Sequence, residues 1–394
     1  MRRVDAKFQI GRGKAEELAK LVKDLNVTKI IFDNDLKSIQ SYNLATVTGI
    51  DIIDRFQLIL EIFNKKAYTK EAKLQIKLAY LQHQFPRTKA SVNLAKMGER
   101  PGFGGLGMHG VDIYTTSIKK QIVRIKQDLK RISKKRDLHR IRRIESSFLH
   151  VSLVGYTNSG KTTLFNALTQ ESKLVDPGLF TTLSTSTRSI FFQDKKILIT
   201  DTIGFIDRLP LIMINAFHST LAETILSDVI ILVIDFHESL EDVKRKLFVC
   251  LNTLKKIGAG AITIITALNK VDLLKKEEIE EKLSTIANDV SYPILISALN
   301  RMNLDELKKI VATHLGNYLK FAFFLPLNDS TLSFISRLYS KIGFLETYYQ
   351  GKDIKVVITA SPQFINKIKG QIKKFEGKLL LSNELEEDNS FFLK

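Results

Sequence analysis

The sequence of 394 residues contains a single cysteine, Cys250, and no long apolar run. One cysteine cannot form a disulfide within the chain, and it is typical of a protein kept in a reducing compartment. A membrane-spanning helix needs about 18 or more apolar residues in succession, whereas residues 229–234 have only the length of a buried strand. The first residues lack the apolar segment of a secretory leader. We therefore expect a cytoplasmic protein with no membrane partner.

Acidic residues are also in short supply, with 42 against 60 Lys and Arg and a net charge of +18. A surplus of this size favours a polyanionic partner, either nucleic acid or an anionic membrane face, with a merely solvated basic surface as the alternative. Residues 119–143 hold twelve Lys and Arg against two Asp, and they contain no Phe, Tyr or Trp. This composition suits contacts with a phosphate backbone better than base stacking.

A chain of this length should contain roughly two to four domains, and its hydrophobic pattern divides it into four segments. The pattern of residues 1–66 predicts a small α/β unit. Residues 67–147 carry two apolar stripes with coiled-coil-like spacing, which favour an antiparallel helical hairpin over two helices packed separately on other domains. Residues 98–110 contain six of the 20 glycines, which predicts a loop at the hairpin tip. The stripes are Leu74, Leu78, Leu81 and Phe85, followed by Ile118, Ile122, Ile125, Leu129 and Ile132.

The second half of the chain predicts two further segments. Residues 148–318 alternate strand and helix patterns, which is typical of a mostly parallel sheet with helices on both faces. Residues 319–394 follow the order β-α-β-β-α-β of a ferredoxin-like α+β module. The expected fold class is α/β, in which a nucleotide-binding domain lies between the hairpin and this module.

The most specific motif is G-Y-T-N-S-G-K-T-T at residues 155–163, which fits the phosphate-loop pattern G-x-x-x-x-G-K-[ST]. An apolar run precedes it and a helical pattern follows, as the pattern requires. In such a loop the backbone N–H groups surround nucleotide phosphates, and the lysine reaches the terminal ones. The predicted nucleotide contacts are Gly155, Asn158, Ser159, Gly160, Lys161, Thr162 and Thr163.

Further segments follow in the order that a GTPase needs. Asp201 and Gly204 belong to D-T-I-G at the end of an apolar run, where Asp201 can hold Mg²⁺ through water and the Gly204 amide can meet the γ-phosphate. Thr162 is predicted to bind Mg²⁺. Thr182, among the hydroxyls of residues 179–184, is predicted to join it only when triphosphate is bound. The predicted catalytic contacts are Lys161, Thr182 and Gly204.

The base would be recognised by N-K-V-D, which follows another apolar run. Asp272 can accept hydrogen bonds from N1 and the exocyclic amine of guanine, a pattern that adenine lacks, so the motif favours GTP over ATP. Asn269 would brace the loop and the stem of Lys270 would cover the base. Ser297 and Ala298 follow a third apolar run, from which a backbone N–H could reach guanine O6.

Two positions bear on hydrolysis. Phe205 follows D-T-I-G, where Ras-like enzymes have a glutamine that orients water. An aromatic ring cannot polarise water, so slow intrinsic hydrolysis is expected until a macromolecular partner completes the site. Asn158 resembles the residue that ligates a monovalent cation in potassium-activated GTPases, which suggests K⁺ as an additional cofactor.

With these residues, the chain resembles the HflX family of ribosome-associated GTPases over nearly its whole length. The resemblance implies an N-terminal half that docks on the large ribosomal subunit and a GTPase domain that is stimulated there. It also implies a role in splitting or rescuing ribosomes under stress. The family usually has lysine after the Ser297–Ala298 pair, where this chain has Leu299. The resemblance depends on residues 10–17, 31–35, 155–161, 179–183 and 201–205, and on the Gly-rich segment 98–110.

We therefore expect a monomeric, Mg²⁺-dependent GTP hydrolase that binds the rRNA of the large ribosomal subunit. Two alternatives remain open. One is a GTPase that governs RNA or tRNA modification together with an enzyme partner. The other is a general RNA-binding or remodelling protein in which the nucleotide acts only as a switch.

Overall fold

The computed structural model of the chain describes residues 5–98, 106–144, 148–169, 186–192, 195–202, 204–207, 224–316, 318–339, 341–342 and 344–380. The described residues up to Lys134 form one compact unit, and those from Lys135 onward form a second. The boundaries of the four predicted segments stay a prediction. None of the helices in the described ranges combines the length and apolar character needed to span a bilayer.

The first unit begins with a small α/β arrangement in which two parallel strands pair. Gly49 ends the second helix with a φ of 75°, a left-handed conformation that glycine adopts easily. The third helix begins with a capping box, since Asp54 Oδ1 accepts from Gln57 N at 2.9 Å and Gln57 Oε1 accepts from Asp54 N at 3.2 Å. The elements are α1 (Arg12–Asp24), β1 (Lys29–Phe32), α2 (Ser38–Thr48), β2 (Asp51–Asp54) and α3 (Arg55–Lys66).

Two long helices follow, α4 (Lys70–Gly98) and α5 (Leu106–Ile144), and their apolar stripes meet as predicted. Lys119 Nζ lies 5.6 Å from the centre of the Phe85 ring. Phe85 is 13 residues before the end of α4 and Lys119 is 13 residues after the start of α5, as expected for neighbours in an antiparallel hairpin. Ile132, the last residue of the second stripe, is half-buried. The shared cluster consists of buried Leu81, Ile118 and Ile125, with Leu74, Leu78, Phe85, Ile122 and Leu129 packed against it.

The predicted loop over residues 98–110 is wrong in its second part. Helix α5 already begins at Leu106, so residues 106–110 are helical. A glycine in a helix costs only about 1 kcal/mol, and extending an existing helix is favourable once it has been nucleated. Residues 99–105 lie outside the described residues.

A six-stranded sheet with the order β4-β5-β3-β6-β7-β8 dominates the second unit. All neighbouring pairs are parallel except β4 with β5, which confirms the predicted mostly parallel sheet. Strands β3 and β6 are buried along their whole length, as expected for parallel strands covered on both faces. The elements are β3 (Leu149–Gly155), α6 (Lys161–Thr169), β4 (Ser186–Phe192), β5 (Lys195–Asp201), β6 (Val229–Asp235), α7 (Leu240–Lys256), β7 (Thr263–Asn269), α8 (Lys276–Ile286), β8 (Pro293–Leu295) and α9 (Leu304–His314).

The chain then forms an antiparallel four-stranded sheet with the order β10-β11-β9-β12. The predicted β-α-β-β-α-β order is confirmed. Both helices pack on one face of this sheet, where Phe334, Ile335, Ile365 and Ile368 meet Phe323 of the first strand. The elements are β9 (Leu319–Pro326), α10 (Asp329–Tyr339), β10 (Phe344–Gln350), β11 (Asp353–Ala360), α11 (Pro362–Lys374) and β12 (Lys378–Leu379).

Candidate nucleotide-binding site

The predicted phosphate loop connects the end of β3 to the start of α6, as its motif requires. Asn158 and Gly160 have left-handed φ values of 64° and 93°, which turn the chain back toward the helix. A Cβ added at Gly160 would lie 2.2 Å from Asn269 Nδ2. The loop therefore needs glycine here for its backbone conformation and for its close approach to β7.

Two other glycines make room for neighbouring elements. A Cβ at Gly155 would lie 2.2 Å from Val233 O of the adjacent strand β6. At Gly204 it would lie 2.8 Å from Thr157 Cγ2 and 3.1 Å from Lys161 Nζ. The structure thus brings Gly204 against the phosphate loop and its lysine, where its amide was predicted to act.

Lys161 begins α6 and is buried. Its ammonium group donates to Tyr156 O at 2.7 Å. Burial lowers the pKa of Lys161 to about 8, and the negative charge of Asp201 opposes that shift. A buried cation of this kind is stabilised by an anion, so the terminal phosphates of a nucleotide are a suitable ligand.

The predicted magnesium ligands Thr162 and Asp201 meet although they are far apart in the chain. Thr162 Oγ1 donates to Asp201 Oδ2 at 3.0 Å, and both side chains are buried. Mg²⁺ prefers oxygen ligands and usually keeps several waters beside one or two protein groups and the phosphates. The described residues contain no group of three or more His, Cys, Asp or Glu that could hold a metal, and this pair fits the sparser Mg²⁺ arrangement. Thr182 lies outside the described residues.

Asn269 joins the phosphate loop to the base-binding segments. Its Nδ2 donates to Ser159 O at 2.9 Å, and its Oδ1 accepts from Ala298 N at 2.9 Å. This is the bracing role that the sequence predicted. The Ala298 amide therefore already donates to Asn269 Oδ1. The predicted hydrogen bond from Ser297 or Ala298 to guanine O6 would then come from a neighbouring backbone N–H, or the Ala298 amide would donate to both oxygens.

The other predicted base contacts lie close by in the chain. Lys270 has a left-handed φ of 68° and precedes the short 3₁₀ turn Val271–Leu273, which contains the half-buried Asp272. Ser297 is buried, and its hydroxyl accepts from Asn300 N at 3.1 Å. Ser297 therefore stabilises its own turn.

Ser159 and Thr163 were predicted as nucleotide contacts through their place in the motif. Ser159 is buried, and a Cβ added at Gly155 would lie 2.9 Å from its Oγ. The side chain of Ser159 therefore faces the end of β3, while its backbone belongs to the loop. Thr163 is half-buried in the first turn of α6, where backbone N–H groups remain available to a phosphate.

Phe205 is packed into the interior, with 1% of its surface exposed. Its backbone is hydrogen-bonded to the phosphate loop on both sides, from Thr157 N to Phe205 O at 2.8 Å and from Phe205 N to Gly155 O at 3.0 Å. The buried ring and these backbone hydrogen bonds hold the D-T-I-G segment against the phosphate loop.

The sequence analysis missed Asp235. Its Oδ2 lies 2.5 Å from Lys270 Nζ, so it fixes the lysine whose stem was predicted to cover the base. Asp235 ends the apolar strand β6 as Asp201 ends β5, and this strand-end position could have indicated it.

A buried polar network behind Asp201 was also missed. Thr200 Oγ1 lies 2.7 Å from His150 Nε2 and 2.9 Å from Thr187 Oγ1. The network ties β3, β4 and β5 together one residue before the predicted magnesium ligand. Its members come from three separate strands, and the sequence offers no signal that they meet.

Family models match three consecutive parts of the chain. Residues 1–64 match a model described as GTP-binding GTPase N-terminal, and residues 66–143 match GTP-binding GTPase Middle Region. Residues 150–270, which contain the phosphate loop and N-K-V-D, match a model described as 50S ribosome-binding GTPase.

Full-length relatives are similar across these parts. GTPase HflX of Methanocaldococcus jannaschii is 40% identical over 93% of this chain and 90% of its own length. GTPase HflX of Thermofilum pendens is 42% identical over 78% of this chain and 72% of its own. Among solved structures, a GTP-binding protein from Sulfolobus solfataricus in complex with GDP is 28% identical, covering 80% of this chain and 88% of its own, with a TM-score of 0.44.

Proposed function

This chain belongs to the HflX family of GTPases, and we propose that it works on the ribosome, where it splits or rescues particles under stress. As a member of that family it is a GTP hydrolase that binds guanine nucleotide. The description of the matched model, 50S ribosome-binding GTPase, supports a ribosomal partner. We propose that this partner is the large subunit and that the protein binds it as a monomer built from the four predicted domains.

The exposed side of α5 is the observation that carries this proposal. Ile118 and Ile125 are buried against α4, whereas the basic residues of this part of α5 are exposed, and one of them, Lys119, also lies over the Phe85 ring of α4. We call the basic face the set of exposed residues Lys119, Lys120, Arg124, Lys126, Lys130, Arg131 and Lys134.

The basic face suits rRNA because of its charge and its shape. Asp128 is the acidic residue among these positions, and it lies 3.8 Å from Arg131, which leaves most of the positive charge uncompensated. A rod with positive side chains on one side can follow a phosphate backbone without reading its sequence.

At the nucleotide site we propose that Thr162 holds Mg²⁺ directly, that Asp201 holds it through water, and that Thr182 joins when GTP is bound. The ion would neutralise charge on the β- and γ-phosphates. Lys161 stabilises negative charge on the γ-phosphate, and the Gly204 amide hydrogen-bonds to the same group. Asn158 is proposed as a ligand for K⁺. Equal turnover in K⁺ and Na⁺ would contradict that assignment.

The position of Phe205 supports activation by the ribosome. Its ring is buried, so it cannot orient the attacking water, and the described loop offers no glutamine in its place. We propose that intrinsic turnover is slow and that a ribosomal group completes the site. Rapid hydrolysis by the isolated protein would contradict this.

Sedimentation of 70S-type ribosomes tests the main proposal. The protein is incubated with ribosomes and either a non-hydrolysable GTP analogue or GDP, and the particles are separated on a sucrose gradient. Dissociation into subunits, with the protein on the large subunit and only with the GTP analogue, is the expected result.

The alternatives predict different outcomes in parallel samples. Intact ribosomes together with tight retention on tRNA would favour a role in tRNA modification. Nucleotide-independent unwinding of free RNA would favour a general remodelling protein. The Lys161→Ala variant is the control for nucleotide dependence, because it leaves the basic face unchanged.

A further inference from the structure

Tyr156 follows the first glycine of the phosphate loop and carries the one aromatic ring of that motif. The general pattern leaves this position open, so the motif itself gives the side chain no role. In the structure the Tyr156 hydroxyl accepts a hydrogen bond from Asp207 N at 3.0 Å. Asp207 lies three residues after Gly204, whose amide is proposed to meet the γ-phosphate. The tyrosine therefore connects the phosphate loop to the segment that follows D-T-I-G.

Two attachments join that segment to the phosphate loop. The first is the backbone of Phe205, which pairs with the loop across a short parallel bridge. The second is the Tyr156 hydroxyl at the Asp207 amide. A single attachment would let the segment pivot about Phe205, and the glycine at position 204 adds backbone freedom because it has no Cβ. Two attachments fix the direction of the segment and, with it, the direction of the Gly204 amide.

The half-buried Tyr156 ring is held in turn by helix α7. Lys246 Nζ lies 4.7 Å from the centre of the ring, where a cation is attracted to the electron-rich face. Lys246 is also ion-paired with Glu238 in the loop before α7, and its side chain is only 15% exposed. A hydroxyl on a ring that is held in this way has a defined position, which a group that orients another residue needs.

Helix α7 also binds the Asp207 side chain. The carboxylate of Asp207 is paired with Arg245, and Arg245 Nη2 lies 2.7 Å from Asp242 Oδ1 of the same helix. The Arg245 side chain is 45% exposed, and an exposed ion pair contributes little. The hydrogen bond at the Asp207 amide is partly buried, and a backbone N–H that loses its acceptor in such a place is costly. We therefore expect the hydroxyl to matter more than the ion pair.

We propose that the Tyr156 hydroxyl is a positioning group for GTP hydrolysis, which holds Asp207 so that the Gly204 amide points at the γ-phosphate. This inference rests on the proposed contact between Gly204 and the γ-phosphate. GDP lacks that phosphate, so the hydroxyl should contribute to GTP binding and turnover and not to the affinity for GDP. Tyr156 thus helps the site to distinguish GTP from GDP without touching either nucleotide through its hydroxyl.

The Tyr156→Phe variant of the full chain tests this role, because it removes the hydroxyl and keeps the ring beside Lys246. Single-turnover GTP hydrolysis is measured without ribosomes, and calorimetry gives the affinities for GDP and for a non-hydrolysable GTP analogue. Turnover should fall about tenfold and analogue affinity about fivefold, since the Asp207 amide loses its acceptor, whereas GDP affinity should not change. Tyr292→Phe, which alters an exposed tyrosine just before β8, is the matched control and should change none of these values.

Gly204→Ala separates failure of this inference from failure of the contact on which it rests, because an added Cβ would meet Thr157 Cγ2 at 2.8 Å. If Gly204→Ala loses turnover and Tyr156→Phe keeps it, the positioning role is wrong and the Gly204 contact stands. If both variants keep turnover, the Gly204 contact is wrong as well. A loss in Tyr156→Phe that Gly204→Ala does not share would also overturn the inference, since the hydroxyl would then act by another route.

Two further measurements exclude a purely structural role. Thermal unfolding of Tyr156→Phe shows whether the hydroxyl stabilises the fold, and a lower melting temperature with unchanged turnover would overturn the proposal. An equal loss of affinity for GDP and for the GTP analogue would do the same. Arg245→Ala should lower turnover less than Tyr156→Phe does. A larger loss in Arg245→Ala would assign the positioning of Asp207 to the ion pair and not to the hydroxyl.

Discussion

The phosphate loop and the basic face of α5 both carry positive charge, but their physical designs are opposite. At the loop a single lysine, Lys161, is buried, and its pKa is lowered to about 8. Gly155 and Gly160 of the loop, and Gly204 beside it, are at positions where an added Cβ would clash. The lysines and arginines of the basic face are exposed on a regular helix, and none of them has a geometric requirement of this kind.

This difference separates specificity from affinity. A desolvated cation surrounded by fixed amides interacts strongly with one charge at one place, and solvent ions screen it little. Exposed cations each contribute little, and their sum depends on salt. We therefore expect substitutions in the loop to change GTP hydrolysis, and substitutions on α5 to change only the affinity of the protein for RNA.

The largest effect should come from Lys161→Ala. Removing the buried cation deprives the γ-phosphate of its nearest positive charge, so GTP turnover in the presence of ribosomes should fall by about 10²- to 10³-fold. Phosphate release at saturating GTP measures this. A variant with near-normal turnover would show that the loop does not stabilise the developing charge.

Asp272→Asn should reduce GTP affinity by about 10²-fold, because two hydrogen bonds from guanine to a carboxylate are lost or reversed. XTP carries a carbonyl where guanine has its exocyclic amine, so it should bind the variant better than the wild type. Calorimetry with both nucleotides measures the exchange. If affinity for both nucleotides falls together, the carboxylate has a structural role and does not read the base.

Replacing Lys119, Lys120, Arg124 and Arg131 together with glutamine should weaken ribosome binding by about 30-fold at low salt. The slope of log affinity against log salt should become shallower by about 2 to 4. Glutamine keeps the length and helix propensity of these positions. GTP turnover without ribosomes should stay unchanged, and an exposed lysine on α8, Lys276, replaced in the same way, is the control. An unchanged salt slope would remove the basic face from the interface.

The smallest effect concerns pH. Burial lowers the pKa of Lys161 to about 8 in the protein without nucleotide, and a bound phosphate raises it again because it favours the charged form. GTP affinity should therefore be nearly constant well below pH 8, fall about fivefold between pH 8 and 9, and fall about tenfold per pH unit above that. Lys161→Arg keeps its charge throughout, so any affinity it retains should not show this decline. Equal pH dependence in the two proteins would contradict the assignment.

Periodic and contiguous patterns in the sequence predicted much of the fold. The two apolar stripes of α4 and α5 meet as predicted, because the spacing of apolar residues decides which side of a helix can be buried. Their members are Leu74, Leu78, Leu81 and Phe85 on α4, and Ile118, Ile122, Ile125 and Leu129 on α5. The order of elements in the C-terminal module could be predicted for the same reason. Glycine content misled the prediction around Leu106, since the local penalty is small compared with the extension of a long helix.

Contacts between distant strands could not be predicted. Asn269 donates to Ser159, a residue 110 positions earlier, and Asp235 binds Lys270 across two neighbouring strands. Both contacts depend on the order β3-β6-β7 in the sheet. The N-K-V-D motif predicted that Asn269 and Lys270 belong to the site, but it could not predict which groups they would contact.

By itself, the sequence predicted which residues would contact a nucleotide, because the phosphate loop and N-K-V-D are continuous segments whose local geometry follows from their glycines and strand ends. Only the tertiary structure decided how those residues are charged and held. Packing of segments that are remote in the chain produces three features of the site. These are the lowered pKa of Lys161, the contact of Thr162 with Asp201 and the burial of Phe205. Desolvation and hydrogen bonds between residues far apart in the chain depend on the assembled sheet, so no local sequence pattern can predict them.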